Sequence, residues 1–157
     1  MNRASIAKLW DEIEPRPKWG FIVMPLGYAG PPVGNYLYRL MHNFEVSVTT
    51  RIQDKGPEIT YSMEIPAGFV TDFASVRPRR LWRYMPPVSG RHARAALAHN
   101  YLFVEQRCFK DGVMTALQQL EADWIFRHIM LEDEVTTLLA KAAYSFVRAF
   151  ARGEWEN

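Results

Sequence analysis

Only one cysteine, Cys108, occurs in this chain of 157 residues. An internal disulfide is therefore excluded, and so is a zinc site built on several thiolates. Long apolar runs are also missing. No segment reaches the length of a membrane span, and the first residues lack the pattern of a signal peptide, so synthesis in the cytoplasm is expected. There is no internal repeat and no low-complexity tract. The net charge, +2, is too small to point to a class of partner. Acidic residues are scarce in one place: none occurs from Phe73 to Val104. That stretch holds Arg77, Arg79, Arg80, Arg83, Arg91 and Arg94, which make a candidate anion-binding patch. The plainer reading is that these arginines solvate a loop and cap its neighbours. It is preferred because no nucleic-acid motif or aromatic-interleaved sheet accompanies them.

Several familiar constellations are lacking as well. His42, His92 and His128 do not have metal-ligand spacing. Gly27, Gly30 and Gly34 are too loosely placed for a phosphate loop. Ser75 has no nucleophile motif around it.

What is present is an apolar fraction of nearly half and many aromatics, enough for one folded core. The chain reads as one domain, residues 1–157. Residues 1–14 form an amphipathic helix, in which Ile6, Leu9, Trp10 and Ile13 share a face until Pro15 and Pro17 stop it. Strands occupy 18–66. Gly27 to Gly34 reads as a loop and Leu37 to Ile52 as one strand, with Phe44, Val46 and Val48 on one side. After a turn at Gln53–Pro57, Glu58 to Ile65 returns with Ile59, Tyr61, Met63 and Ile65 aligned. Residues 67–90 read as a loop, with a helical turn near Pro78–Tyr84.

Helices fill 91–152. The first, with Ser89 as N-cap, runs to about Glu105, and a loop follows through Lys110-Asp111-Gly112. The second spans Thr115 to Leu131, with Thr115 and Gln118 as a capping box. The third is capped by Asp133 and carries Val135, Leu138, Leu139, Ala142, Phe146, Val147 and Phe150. The expected class is α+β: a small antiparallel hairpin or sheet packed on three C-terminal helices, with a short N-terminal helix. Trp155 reads as an exposed aromatic that marks a contact.

The chemistry-bearing residues sit in apolar helical settings. His99 lies in Ala95-Ala96-Leu97-Ala98-His99-Asn100-Tyr101-Leu102-Phe103, and Asp123 in Leu120-Glu121-Ala122-Asp123-Trp124-Ile125-Phe126. A short connection makes the two helices antiparallel, and both residues lie at similar distances from it, so they should meet. A buried carboxylate needs a partner, and a carboxylate on one ring nitrogen orients the other as a base. Such a pair equally serves as a plain link between helices. Asp72 and Ser75 could supply a ligand and a donor beside it, or simply form a turn.

The string Gly68-Phe69-Val70-Thr71-Asp72-Phe73-Ala74-Ser75, with Arg80-Leu81-Trp82-Arg83, Pro86-Pro87, His99-Asn100-Tyr101-Leu102-Phe103 and Ala122-Asp123-Trp124, resembles a family of small phage and prophage proteins catalogued as domain of unknown function 1353. The likeness covers about Tyr38 to Phe150. It implies a bacteriophage origin and supplies no activity. A more distant likeness is to the two-helix core of secreted phospholipases of the A-two type. It implies His99 as base and Asp123 as the orienting carboxylate. Asn100 stands where those enzymes hold calcium with an aspartate, and Phe103 stands where a tyrosine supports the second aspartate. Asn100 and Asp72 are then the candidate metal ligands. The amide lacks the charge that attracts Ca2+, so no cofactor is expected.

Together these features lead to the expectation of a phage structural or accessory protein, a tail or neck component of the virion made in the host cytoplasm. It would retain a hydrolase-like but eroded His/Asp core. Other virion proteins, and the chain itself, are the expected partners, and nucleic acid is not. The alternatives are an active phospholipase-like or envelope hydrolase using His99, and an anion- or nucleic-acid-binding module using the arginines.

Overall fold

The computed structural model describes residues 23–29, 35–72, 91–150 and Trp155. The expected N-terminal helix, Trp10, Trp82, Ser75, the Ser89 cap and Arg77, Arg79, Arg80 and Arg83 lie outside the described residues. Two antiparallel sheets and three helices make up the described fold, which is α+β. The first sheet contains β1 (Val23–Ala29), β2 (Asn35–Leu40) and β5 (Val70–Thr71), in the order β1-β2-β5. The second contains β3 (Phe44–Thr50), β4 (Ile59–Ile65), β6 (Arg107–Lys110) and β7 (Val113–Ala116), in that order. The helices are α1 (Ala93–Glu105), α2 (Gln119–Glu132) and α3 (Thr137–Phe150).

Of the expected loop at Gly27–Gly34, residues 27–29 are strand, and residues 30–34 lie outside the described residues. Strand β1 continues to Ala29 by bulging, with Pro25 opposite Tyr38 and Gly27 opposite Leu37. A sheet edge tolerates both proline and a bulge, and among the described residues no strand lies beyond β1 to need the missing donor. The single strand expected over Leu37–Ile52 is two strands in different sheets. Asn43 forms the corner between them. Its amide nitrogen donates to Glu64 and its oxygen accepts from the Ala67 backbone N–H. Leu40 instead bonds to Gly68 and Phe69, which draws β2 toward β5. The period-two faces do hold: Val46 and Val48 on β3, and Tyr61, Met63 and Ile65 on β4, are buried.

The expected loop after α1 is a hairpin. Asp111 and Gly112 both take positive φ, 47° and 82°, the conformation that joins two strands by a two-residue turn. Their flanks pair as Lys110 with Val113 and Cys108 with Thr115, and β6 adds to β4 through Tyr61–Lys110 and Ser62–Phe109. Thr115 is therefore a strand residue. The capping box of α2 is one turn later, between Gln118 and Glu121. Asp133 ends α2 rather than starting α3, because Arg94 takes its carboxylate through two 2.9 Å bonds. Thr136 then accepts from the Leu139 N–H at the start of α3. Val135, just before α3, and Ala140 on it are buried, but Leu138 is 80% exposed and Ala142 faces solvent.

Helix α1 is buried on nearly every side: Ala93, Ala95, Ala96, Leu97, Ala98, His99 and Leu102 all lie inside. Its alanines let neighbouring elements approach closely, and the same all-round burial encloses any polar side chain it carries. The core joins these residues to Val46, Val48, Tyr61 and Ile65 from the sheet and to Ala122, Ile125 and Ile129 from α2.

Cys108 is buried in this core, and desolvation pushes its thiol up from 9 to about 12, with Lys110 opposing and Glu121 adding. A raised value means that the folded state favours the neutral thiol. The associated stability is whole below about pH 9 and is lost as pH rises from there toward 12. At pH 8 the folded protein should therefore react with a disulfide reagent only as fast as it opens, and denaturant should release one thiol at once. Rapid stoichiometric labelling without denaturant would contradict this burial.

Candidate functional site

The antiparallel helices α1 and α2 bring His99 and Asp123 together, with Nε2 2.8 Å from Oδ1. Asp123 is completely buried and His99 is 7% exposed. A carboxylate oxygen accepts, so the Nε2–H donates and the lone pair of a neutral ring resides on Nδ1. No hydrogen bond to Nδ1 is formed among the described residues. Two rings enclose the imidazole: Phe103, centred 4.4 Å away, and Phe126, at 4.9 Å.

A third residue completes the arrangement. Arg148 of α3 donates from Nη1 to the other carboxylate oxygen of Asp123, at 3.0 Å. Both oxygens are thus engaged, one toward α1 and one toward α3. Sequence reasoning passed over Arg148. It follows Ala140 and Tyr144 at four-residue steps, so an arginine on the inner stripe of an amphipathic helix was the available signal. Its cation compensates the Asp123 charge and shares the field that a lone carboxylate would give entirely to the imidazole.

The neighbouring residues follow a different logic from the phospholipase likeness. Asn100 donates through Nδ2 to Thr71 Oγ1 at 2.8 Å and to Asp72 Oδ1 at 3.1 Å, tying α1 to β5. A calcium ion held by Asn100 and Asp72 would need oxygens converging on it. Here the amide turns an N–H toward the oxygen of Asp72, so the two side chains satisfy each other and do not fit a cation. Among the described residues no cluster of three or more His, Cys, Asp or Glu is arranged for a metal.

Phe103 packs on Trp155, with centroids 4.9 Å apart and rings nearly perpendicular. The expected exposed contact at Trp155 is therefore half-buried, and its backbone oxygen accepts from Gln106 Nε2 at 2.6 Å.

The remaining candidates separate from this centre. Arg91 pairs with Glu134, and Arg94 with Glu132 and Asp133, so both described members of the arginine patch are engaged with acids. His128 lies 3.4 Å from Glu132, and His42 Nδ1 lies 2.7 Å from the Asn43 carbonyl. His92 is buried at the start of α1. A second polar link joins β4, β6 and α2: Lys110 and Tyr61 both donate to Glu121 Oε1. Burial first, and then the Glu121 charge, push the Tyr61 hydroxyl up.

Residues 44–147 match the profile of the family described as Protein of unknown function (DUF1353). No curated protein and no solved structure matches the chain.

Removing one partner of a buried charge pair leaves the other uncompensated, at a cost of about 3–5 kcal/mol. Asp123→Ala should lower unfolding stability by about that amount in urea titration. Asp123→Asn, which can still accept from one partner, should cost less. A loss below about 1 kcal/mol for Asp123→Ala would contradict the role of this carboxylate in the core.

Proposed function

Because the chain belongs to the DUF1353 family, matched across the second sheet and all three helices, we propose that it is a structural or accessory component of a phage particle, in the tail or neck. In this reading the His99–Asp123–Arg148 network is a clamp that locks the helices in place. The observation that carries it is the full engagement of the buried Asp123 carboxylate by two helices at once. Three further features support it. Arg148 pairs with the buried Asp123 charge. Asn100 uses its amide to hold β5. Phe103 offers a ring face where the phospholipase likeness implies a hydroxyl. The phage assignment itself rests on the sequence resemblance; no described helix is long and apolar enough to cross a membrane.

One observation favours a second reading, a hydrolase acting on envelope lipid or cell wall. Asp123 fixes Nε2–H, which leaves Nδ1 with a lone pair and no hydrogen bond among the described residues. A water at Nδ1 could lose its proton to the ring as it attacks an ester carbonyl, and the ring would return that proton to the leaving oxygen. Asp123 would orient the imidazole throughout.

Two measurements separate the readings. Mass spectrometry of purified particles from the encoding phage should detect the chain in fixed proportion to known virion proteins, and its absence would overturn the structural reading. Purified protein on phospholipid vesicles, with and without calcium, should show no turnover. Turnover that disappears in His99→Ala would establish the hydrolase instead.

A further inference from the structure

Arginines in the described part of this fold usually meet carboxylates. Arg91, Arg94, Arg107 and Arg148 each have one within 4 Å. Arg127 has no hydrogen bond or ion pair among the described residues, and its Nε is buried without an acceptor. Yet its guanidinium is held firmly. The central carbon lies 4.8 Å from the centre of the Trp124 ring and 5.9 Å from that of Tyr144. Trp124 is itself fixed, by its Nε1–H to Thr50 Oγ1 at 3.3 Å and by the perpendicular ring of Tyr144 at 5.7 Å.

This guanidinium borders a cleft of about 450 Å³ between α2 and the end of β3. Trp124, Arg127 and His128 line the α2 side, and Arg51, Asp54 and Glu58 line the side formed by the β3–β4 connection. Arg127 therefore faces two carboxylates, with Arg51 beside them, across a space of the size that takes a small ligand. Contact with two aromatic rings positions the guanidinium, and with Nε buried its Nη groups are the donors left for a carboxylate acceptor. The acids across the cleft oppose a multiply charged anion and suit a cationic group.

We propose that this cleft binds a zwitterion of the amino-acid or short-peptide class, with the ligand carboxylate on Arg127 and its ammonium toward Asp54 and Glu58. Trp124 and Leu131 supply apolar contact for the body of the ligand. Nothing in this cleft depends on the role of His99, so the two sites stand or fall separately.

The test uses the full-length, 15N-labelled protein with glycyl-leucine as the probe, followed through the side-chain N–H signals of Arg127 and Trp124. Glycyl-leucine should shift both signals saturably. N-acetyl-leucine, which lacks the ammonium, and inorganic phosphate should each bind at least about tenfold more weakly. Arg127→Met keeps hydrocarbon on the Trp124 face and removes the charge, so affinity should fall at least about tenfold. Arg127→Lys preserves the charge without the fork and should also weaken binding, which decides the matter if the methionine variant fails to fold. Absence of saturable shifts, equal or tighter binding of phosphate, or undiminished affinity in the folded variant would each overturn the assignment.

Discussion

A single carboxylate, that of Asp123, sits wholly inside the helical layer and sets what its neighbours must do. Taking a charge out of water is expensive, and the cost is met only by partners with good geometry. Here one oxygen receives the imidazole of α1 and the other the guanidinium of α3. Each partner arrives from a different helix, so the distances between α1, α2 and α3 are constrained together. The alanines of α1 matter for the same reason: larger side chains on that buried helix would hold it away from α2 and lengthen the His99 bond.

Around this centre the polar groups are arranged to complete one another. Asn100 closes on Thr71 and Asp72, and Phe103 and Phe126 cover the imidazole. Such an arrangement holds a histidine in one tautomer and one orientation. The same geometry prepares a base. In the proposed structural reading, Arg148 and Asn100 are part of the scaffold, since each binds protein groups.

The encounter of His99 with Asp123 was legible in the sequence from helical periodicity and similar distances to the connection, although that connection is the β6–β7 hairpin rather than a short loop. The inner faces of β3 and β4 were legible for the same reason, a clear period of two. The hairpin β6–β7 was also signalled, by the Asp111-Gly112 turn pair, but a strong helix pattern nearby absorbed Thr115 into α2. The division of Leu37–Ile52 into two strands was not legible, because it depends on Asn43 bonding to Glu64 and Ala67, residues that are remote in sequence. Arg148 is a similar case. Its stripe can be read, but its partner on another helix comes only from packing. Asp133 shows the converse failure: a good cap residue was claimed first by Arg94.

The most direct measurement of the central interaction is the protonation pattern of the His99 ring, read from long-range 1H–15N correlations at mildly alkaline pH. Acceptance by Asp123 predicts that the neutral form of the ring keeps its proton on Nε2 with a pyridine-like Nδ1, and Asp123→Ala should release that preference. A ring carrying its proton on Nδ1, or one exchanging freely between tautomers in the unaltered protein, would contradict the account.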